Sequence, residues 1–319
     1  MTPLLDGVHN QSLQWAGFSF TFSFCYPSSY IRFFFDSNQV FLNKQFIGIL
    51  LASMLGFLLG LADDAYNTKP MLKLSTQITC AVILLVSGTE ITISYLEVVN
   101  YIITIFWVVG IMNSLNMLDN MDAITSTVSI SIILSALCVM IFHRELNSVY
   151  FLEMLGVMGA LIGFLFFNWH PSKMYMGDTG SQFLGVFLAA MGIRYFWNAE
   201  PPSGDFISAR NLFLPLIVFI MPIIDTTTVV INRISRRQNP FVGEKKITPH
   251  MPAAYLGLSD RQVALVFWAI TLISLMLVVV MERFLKTWSH VYSALFAIYF
   301  FLMFGIFFYA SKVASRNKK

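Results

Sequence analysis

The chain has 319 residues, of which 57% are apolar and only 12% charged, with 31 Phe and 17 Met. A water-soluble fold of this size cannot bury so much apolar surface, and a net charge of +3 is too small for a nucleic-acid footprint. An ordinary cytosolic enzyme, a disordered chain and a nucleic-acid binder are excluded, which leaves a polytopic membrane protein with a mean hydropathy of +0.70.

A bilayer span needs about 20 apolar residues. Ten stretches qualify in chain order: residues 14–35, 46–62, 76–95, 100–113, 124–143, 150–167, 182–199, 211–231, 262–281 and 291–311. Open strand edges do not survive in hydrocarbon, so the expected fold is all-α, a bundle of about ten transmembrane helices forming one integral-membrane domain over residues 1–319. Met1–Ser12 has no basic residue and does not read as a signal peptide. Cys25, Cys80 and Cys138 sit in apolar runs without metal-ligand spacing, as small buried hydrophobes. With ten spans both termini share one side. Thirteen Lys and Arg fall on that side, from Lys69 to Lys319, and seven on the other, which places both termini in the cytoplasm.

Ionisable groups at membrane depth are functional candidates by default. Four clusters occur, all at the predicted cytoplasmic ends of spans. The first, LADDAYNTKPMLKL, closes the second stretch with Asp63 and Asp64 and follows with Lys69 and Lys73. Adjacent carboxylates both ionise comfortably only beside a cation or metal; a solvated helix end is the plainer reading. The second is NSLNMLDNMDA. In a helix, Asn113, Asn116, Asp119, Asn120 and Asp122 form one polar stripe, lining either a wet site or a hydrogen-bonded helix contact. The third, FNWHPSKMYMGDTGSQFLG, holds Asp178 between Gly177 and Gly180, with Ser181 opening the next span. Glycines and a helix N-terminus suit a phosphate, and a carboxylate there reads as a metal ligand rather than an N-cap. His170 reads as structural. The fourth is the basic loop 232–261, with Asp225 before it and Arg233, Lys246 and His250 within. It is equally a membrane-surface contact. Together these groups suit one hard divalent cation, Mg²⁺, and phosphates presented at the cytoplasmic boundary. That combination points to phosphoryl-group transfer from a nucleotide-linked donor to a lipid-borne acceptor. A transporter would instead scatter its carboxylates near the midplane, in repeated halves.

ADDxxN with a downstream Lys, NSLNMLDNMD, MGDTGSQFLG and the PFVG…H loop, in that order, resemble the polyprenyl-phosphate N-acetylhexosamine-1-phosphate transferase superfamily over about residues 9–311. The resemblance implies transfer of HexNAc-1-phosphate (GlcNAc-1-phosphate is expected) from a UDP-sugar to undecaprenyl phosphate. UMP is released and Mg²⁺ is used, with Mn²⁺ as a substitute. The setting it implies is a multi-pass protein of the bacterial cytoplasmic membrane, starting a cell-surface glycan. Its partners would be the UDP-N-acetylhexosamine, undecaprenyl phosphate and the lipid bilayer; a homodimer is left open and no nucleic acid is expected. Carried onto this chain, Asp178 is the Mg²⁺ ligand, and Asp63, Asp64, Asp119 and Asp122 are catalytic. Lys73, Asn113, Asn116, Arg233, Lys246 and His250 bind substrate. The LDNMD form looks more like the simple UDP-HexNAc branch than the phospho-MurNAc-pentapeptide branch, which usually reads TDGLDG. Two departures are visible. The family's first helix and its Pro-Thr-Pro segment have no counterpart before HNQSLQWAG, so that helix is expected to be absent. In the loop, the family's DHxxH retains only His250, so a member of low activity is a second reading.

Overall fold

The structure, a computed structural model, describes residues 43–199, 209–235, 237, 260–285 and 287–316, and is all-helical over them. The expected stretch 14–35, the HNQSLQWAG segment, Lys246 and His250 lie outside the described residues. The helices are α1 (Lys44–Tyr66), α2 (Pro70–Val86), α3 (Glu97–Leu118), α4 (Ile124–Phe142), α5 (Val149–Asn168), α6 (Gly177–Gly192), α7 (Ala209–Val218), α8 (Ile220–Ser235), α9 (Asp260–Arg283) and α10 (His290–Arg316). A π-helical turn, Ile193–Trp197, extends α6.

Six of these, α1, α3, α4, α5, α9 and α10, are long and apolar enough to cross a bilayer, or seven if the bent pair α7–α8 counts as one span. The expectation of about ten is therefore met only in part. Three stretches explain the difference within the described residues, the seventh because it forms only the 16-residue α6 and its π-helical turn. The third ends at Val86 instead of residue 95, because Ser87–Gly88 leaves the helix and Gly88 takes φ +84°. Pro70 starts the same helix at its first position, where the missing N–H costs nothing. The eighth stretch breaks by 78° between α7 and α8. Pro215 and Pro222 bracket the break, and neither can donate a helical hydrogen bond.

Helix ends are set locally. The Asn43 side chain accepts the Gln45 N–H at 2.9 Å to start α1, and Asn67 ends it in the left-handed region at φ 49°. At the centre stands α6, buried along every residue from Thr179 to Gly192 and packed against α1 and α3. The α1–α6 crossing is tight: a Cβ on Gly60 would lie 2.2 Å from the Asp178 carbonyl oxygen. Outward faces are apolar, as on Phe106, Phe166, Phe301 and Leu302, which suits hydrocarbon rather than water. The chain is a multi-pass membrane protein.

Candidate active site

Four helix ends meet at one end of the bundle: the C-termini of α1 and α3 and the N-termini of α2 and α6. They bring Asp63, Asp64, Lys73, Asn116 and Asp178 together from positions up to 115 residues apart. The centre is Lys73. Its ammonium donates to Asp63 at 2.9 Å and to Asp178 at 2.5 Å, and lies 3.5 Å from the Asn116 side-chain oxygen. Asp63 also accepts the Thr68 N–H at 2.9 Å and the Thr68 hydroxyl. Asn116 donates to Asp178 at 2.7 Å and to the Ser181 hydroxyl at 3.1 Å. Lys73, Asp178 and Asn116 are each held by a side chain from another helix, and Asp63 also by Thr68 in the connection after α1, which preorganises the centre.

Asp64 faces away from Lys73. Its carboxylate accepts the N–H groups of Asp178 and Thr179, each at 3.0 Å, and the Thr179 hydroxyl. It therefore fills the anion site that the start of α6 offers. A phosphate expected at that N-terminus finds the position taken by a side chain from α1. Asp178, as expected, does not cap its own helix; it turns to Lys73 and Asn116. Gly177 at φ +67° makes the turn into α6.

The polar stripe predicted for NSLNMLDNMDA is interrupted. Helix α3 stops at Leu118, and Asp119–Ala123 form a turn closed by Ala123 at φ +65°. Asp119 stays beside the centre, half-buried. Burial pushes its carboxyl well above the usual carboxylate range, and the charges of Asp178 and Asp64 push the same way. Asp122 instead accepts from the His170 ring at 3.0 Å and from the Ser172 N–H at 3.1 Å, so it ties down the loop between α5 and α6. Asn113 lies one turn deeper than Asn116. Its side chain pairs with Gln77 on α2 at 2.9 Å, and Gln77 reaches Gln182 on α6 at 3.2 Å. Arg233 stands half-buried in the last turn of α8.

Sequence reasoning missed Gln77 and Gln182, both essentially inaccessible. A signal was present, because a glutamine inside an apolar helix seeks a partner helix. It missed Thr68, Thr179 and Ser181 as well, whose roles depend on which helix they meet. Among the described residues no three His, Cys, Asp or Glu converge as a ready-made metal cage. The centre nonetheless holds four carboxylates, Asp63, Asp64, Asp119 and Asp178, against one ammonium.

Residues 46–196 match the sequence model of glycosyl transferase family 4. The chain is 26% identical over 277 residues to a Bacillus subtilis protein described as a probable undecaprenyl-phosphate N-acetylglucosaminyl 1-phosphate transferase, covering 84% of this chain and 73% of that one. It is 26% identical to a decaprenyl-phosphate N-acetylglucosaminephosphotransferase of Mycolicibacterium smegmatis, covering 69% and 59%. It is 36% identical to a phospho-N-acetylmuramoyl-pentapeptide-transferase of Lactobacillus johnsonii, covering 53% and 48%. The matches bear out the family resemblance read from the motifs.

Proposed function

We infer, from a chain whose residues 46–196 match glycosyl transferase family 4 and whose relatives are polyprenyl-phosphate sugar-phosphate transferases, that it moves N-acetylhexosamine-1-phosphate from a UDP-sugar to undecaprenyl phosphate. An acceptor phosphate oxygen attacks the sugar-bearing phosphorus of the donor, and the phosphorus–oxygen bond to UMP breaks. The products are a polyprenyl-diphosphate sugar and UMP.

The observation that carries this reading is Lys73 held between Asp63 and Asp178 where four helix ends meet. Two phosphates must approach each other there, and their repulsion is the main barrier to overcome. Lys73 offers a fixed cation to one of them, with Asp63 and the Thr68 hydroxyl setting its direction. Asp178 and Asp119 would hold Mg²⁺ through their carboxylate oxygens, an ion that binds proteins through one or two carboxylates. Bound there, Mg²⁺ would supply charge neutralisation at the donor diphosphate. Asn116 keeps Asp178 oriented, and Asp122 holds the loop that leads into α6. Arg233 stands in the last turn of α8, and Lys246 and His250, which follow it in the sequence, are proposed to bind the donor with it.

The site is proposed to face the cytoplasm, where nucleotide-sugars are, with both termini on that side of the bacterial inner membrane. The thirteen-to-seven distribution of basic residues supports this orientation. Phospho-MurNAc-pentapeptide as donor is the second reading, favoured by the relatives that carry that activity in their names. The test is UMP release by the purified protein, with UDP-GlcNAc or UDP-MurNAc-pentapeptide offered in turn. Release should require UDP-GlcNAc, undecaprenyl phosphate and Mg²⁺ together. Asp178→Asn should lower it at least about a hundredfold, the scale of one lost transition-state electrostatic contact. Release without the acceptor, or undiminished in Asp178→Asn, overturns the assignment.

A further inference from the structure

At the opposite end of the bundle the structure contains a polar cavity of about 390 Å³. Gln45, Thr89, His143, Glu145, Arg194 and Asn198 contribute to its walls. Gln45 and Asp63 are 18 residues apart on α1, roughly 27 Å at 1.5 Å per residue. That is close to the ~30 Å hydrocarbon thickness, so the cavity and the candidate active site lie in opposite headgroup layers.

Among the described residues two charged side chains in its wall, Arg194 and Glu145, form no ion pair. Arg194 projects from the π-helical turn Ile193–Trp197, a distortion that recurs at functional positions. Its guanidinium is held over the Tyr150 ring at 4.3 Å, donates to Gln45 at 2.7 Å and lies 3.3 Å from the Tyr195 hydroxyl. Among the described residues no carboxylate comes within ion-pair distance of it, and Glu145 has no cation within that distance either. The Thr89 hydroxyl, on a residue only 5% exposed, meets no hydrogen-bonding group among the described residues. Arg194 is half-buried within the helical continuation of α6, whereas Glu145 is exposed and lies past the C-terminus of α4 at Phe142, so the positive group is the more enclosed and the negative one stands beyond the helix end.

We propose that this cavity binds a zwitterion carrying a phosphate ester and a primary ammonium, the chemistry of a phosphoethanolamine headgroup. Arg194 and Thr89 would take the phosphate; Glu145 would take the ammonium. A lipid of that type stands in the bilayer with its phosphate inward of its amine, the same order as Arg194 and Glu145. An anionic headgroup would leave Glu145 opposed, and a purely cationic ligand would leave Arg194 unanswered.

The experiment is native mass spectrometry of the full chain in detergent, with an equimolar mixture of dioleoyl-phosphatidylethanolamine and dioleoyl-phosphatidylglycerol. Retention of the ethanolamine lipid should exceed that of the glycerol lipid by roughly tenfold, about one charge-assisted hydrogen bond. Arg194→Gln should abolish retention of both. Exposed Glu145→Gln, which removes no packing contact, should erase only the preference. Soluble O-phosphoethanolamine is added in a separate arm. Displacement of the lipid by it at comparable concentration identifies a soluble zwitterion as an equally suitable occupant, whereas no displacement assigns the site to a membrane lipid. Equal retention of the two lipids by the parent protein, or an unchanged preference in Glu145→Gln, overturns the proposal.

Discussion

Replacing Asp64 by Asn separates a carboxylate that acts on substrate from one that holds a helix. Its oxygens accept the Asp178 and Thr179 N–H groups at 3.0 Å and the Thr179 hydroxyl at the start of α6. Hydrogen bonds to a charged acceptor contribute about 1.5–3 kcal/mol and neutral ones about 1. A negative charge at a helix N-terminus adds roughly 0.3–1 kcal/mol. Asparagine retains one acceptor oxygen and presents an N–H group to the other donor, so the expected loss is about 2–3 kcal/mol. At about 2 °C per kcal/mol for a chain of this size, the apparent Tm should fall by roughly 4–6 °C. Asp64→Ala strips both acceptors and leaves two N–H groups unanswered, so it should fall further. The assay is thermal unfolding in detergent at one scan rate, beside UMP release. Transfer should fall in both variants in step with the lost stability, because Asp178 is carried by the helix that Asp64 grips. A parental Tm in Asp64→Asn with transfer abolished would refute the reasoning and give Asp64 a role on the substrate instead.

Lys73→Met removes the ammonium between Asp63 and Asp178. Transfer should fall at least about a hundredfold, and Mg²⁺ should raise the variant's Tm more than the parent's, because a divalent ion then compensates the two carboxylates; equal Mg²⁺ responses would contradict this. Gly60→Ala places a methyl 2.2 Å from the Asp178 carbonyl oxygen and should force α1 and α6 apart, read as lost transfer and a lowered yield of folded protein. His143 is raised above the ordinary 6.5, first by its hydrogen bond to Glu282 and then by that carboxylate's charge and by Glu145, against burial and Arg210. A group raised in the folded state stabilises fully below its unfolded pKa and loses that contribution as pH climbs through the folded one. Tm should therefore decline from pH 6.5 upward, and His143→Gln should flatten that decline.

The lengths of the apolar runs located nine helical stretches inside the described residues, and the clustering of acidic motifs at one end was legible from span order. Asp63, Lys73, Asn116 and Asp178 do meet there. What stayed hidden was tertiary pairing. That Asp64 would serve α6, while its neighbour Asp63 serves Lys73, depends on a rotation of α1 fixed by the glycine crossing at Gly60. The polar stripe of α3 assumed a helix that continued past Leu118, but Asp119 and Asp122 belong to a turn whose direction Ala123 sets. Asn113 looked equivalent to Asn116 by spacing; only the buried pair Gln77 and Gln182 shows that it answers to a different set of partners.

Helix α6 is enclosed by protein from Thr179 to Gly192, with Gln182 and Ser181 among its inaccessible side chains. Such a segment is poorly suited to sit alone in lipid, where its amide and hydroxyls would lack partners. Its main neighbours, α1 and α3, precede it in the chain and are themselves apolar enough to enter the bilayer independently. During synthesis the groove that receives α6 is therefore already inserted when α6 emerges. Asp178 reaches Lys73 only as that docking completes, so this ion pair is a product of tertiary assembly and not of any one helix.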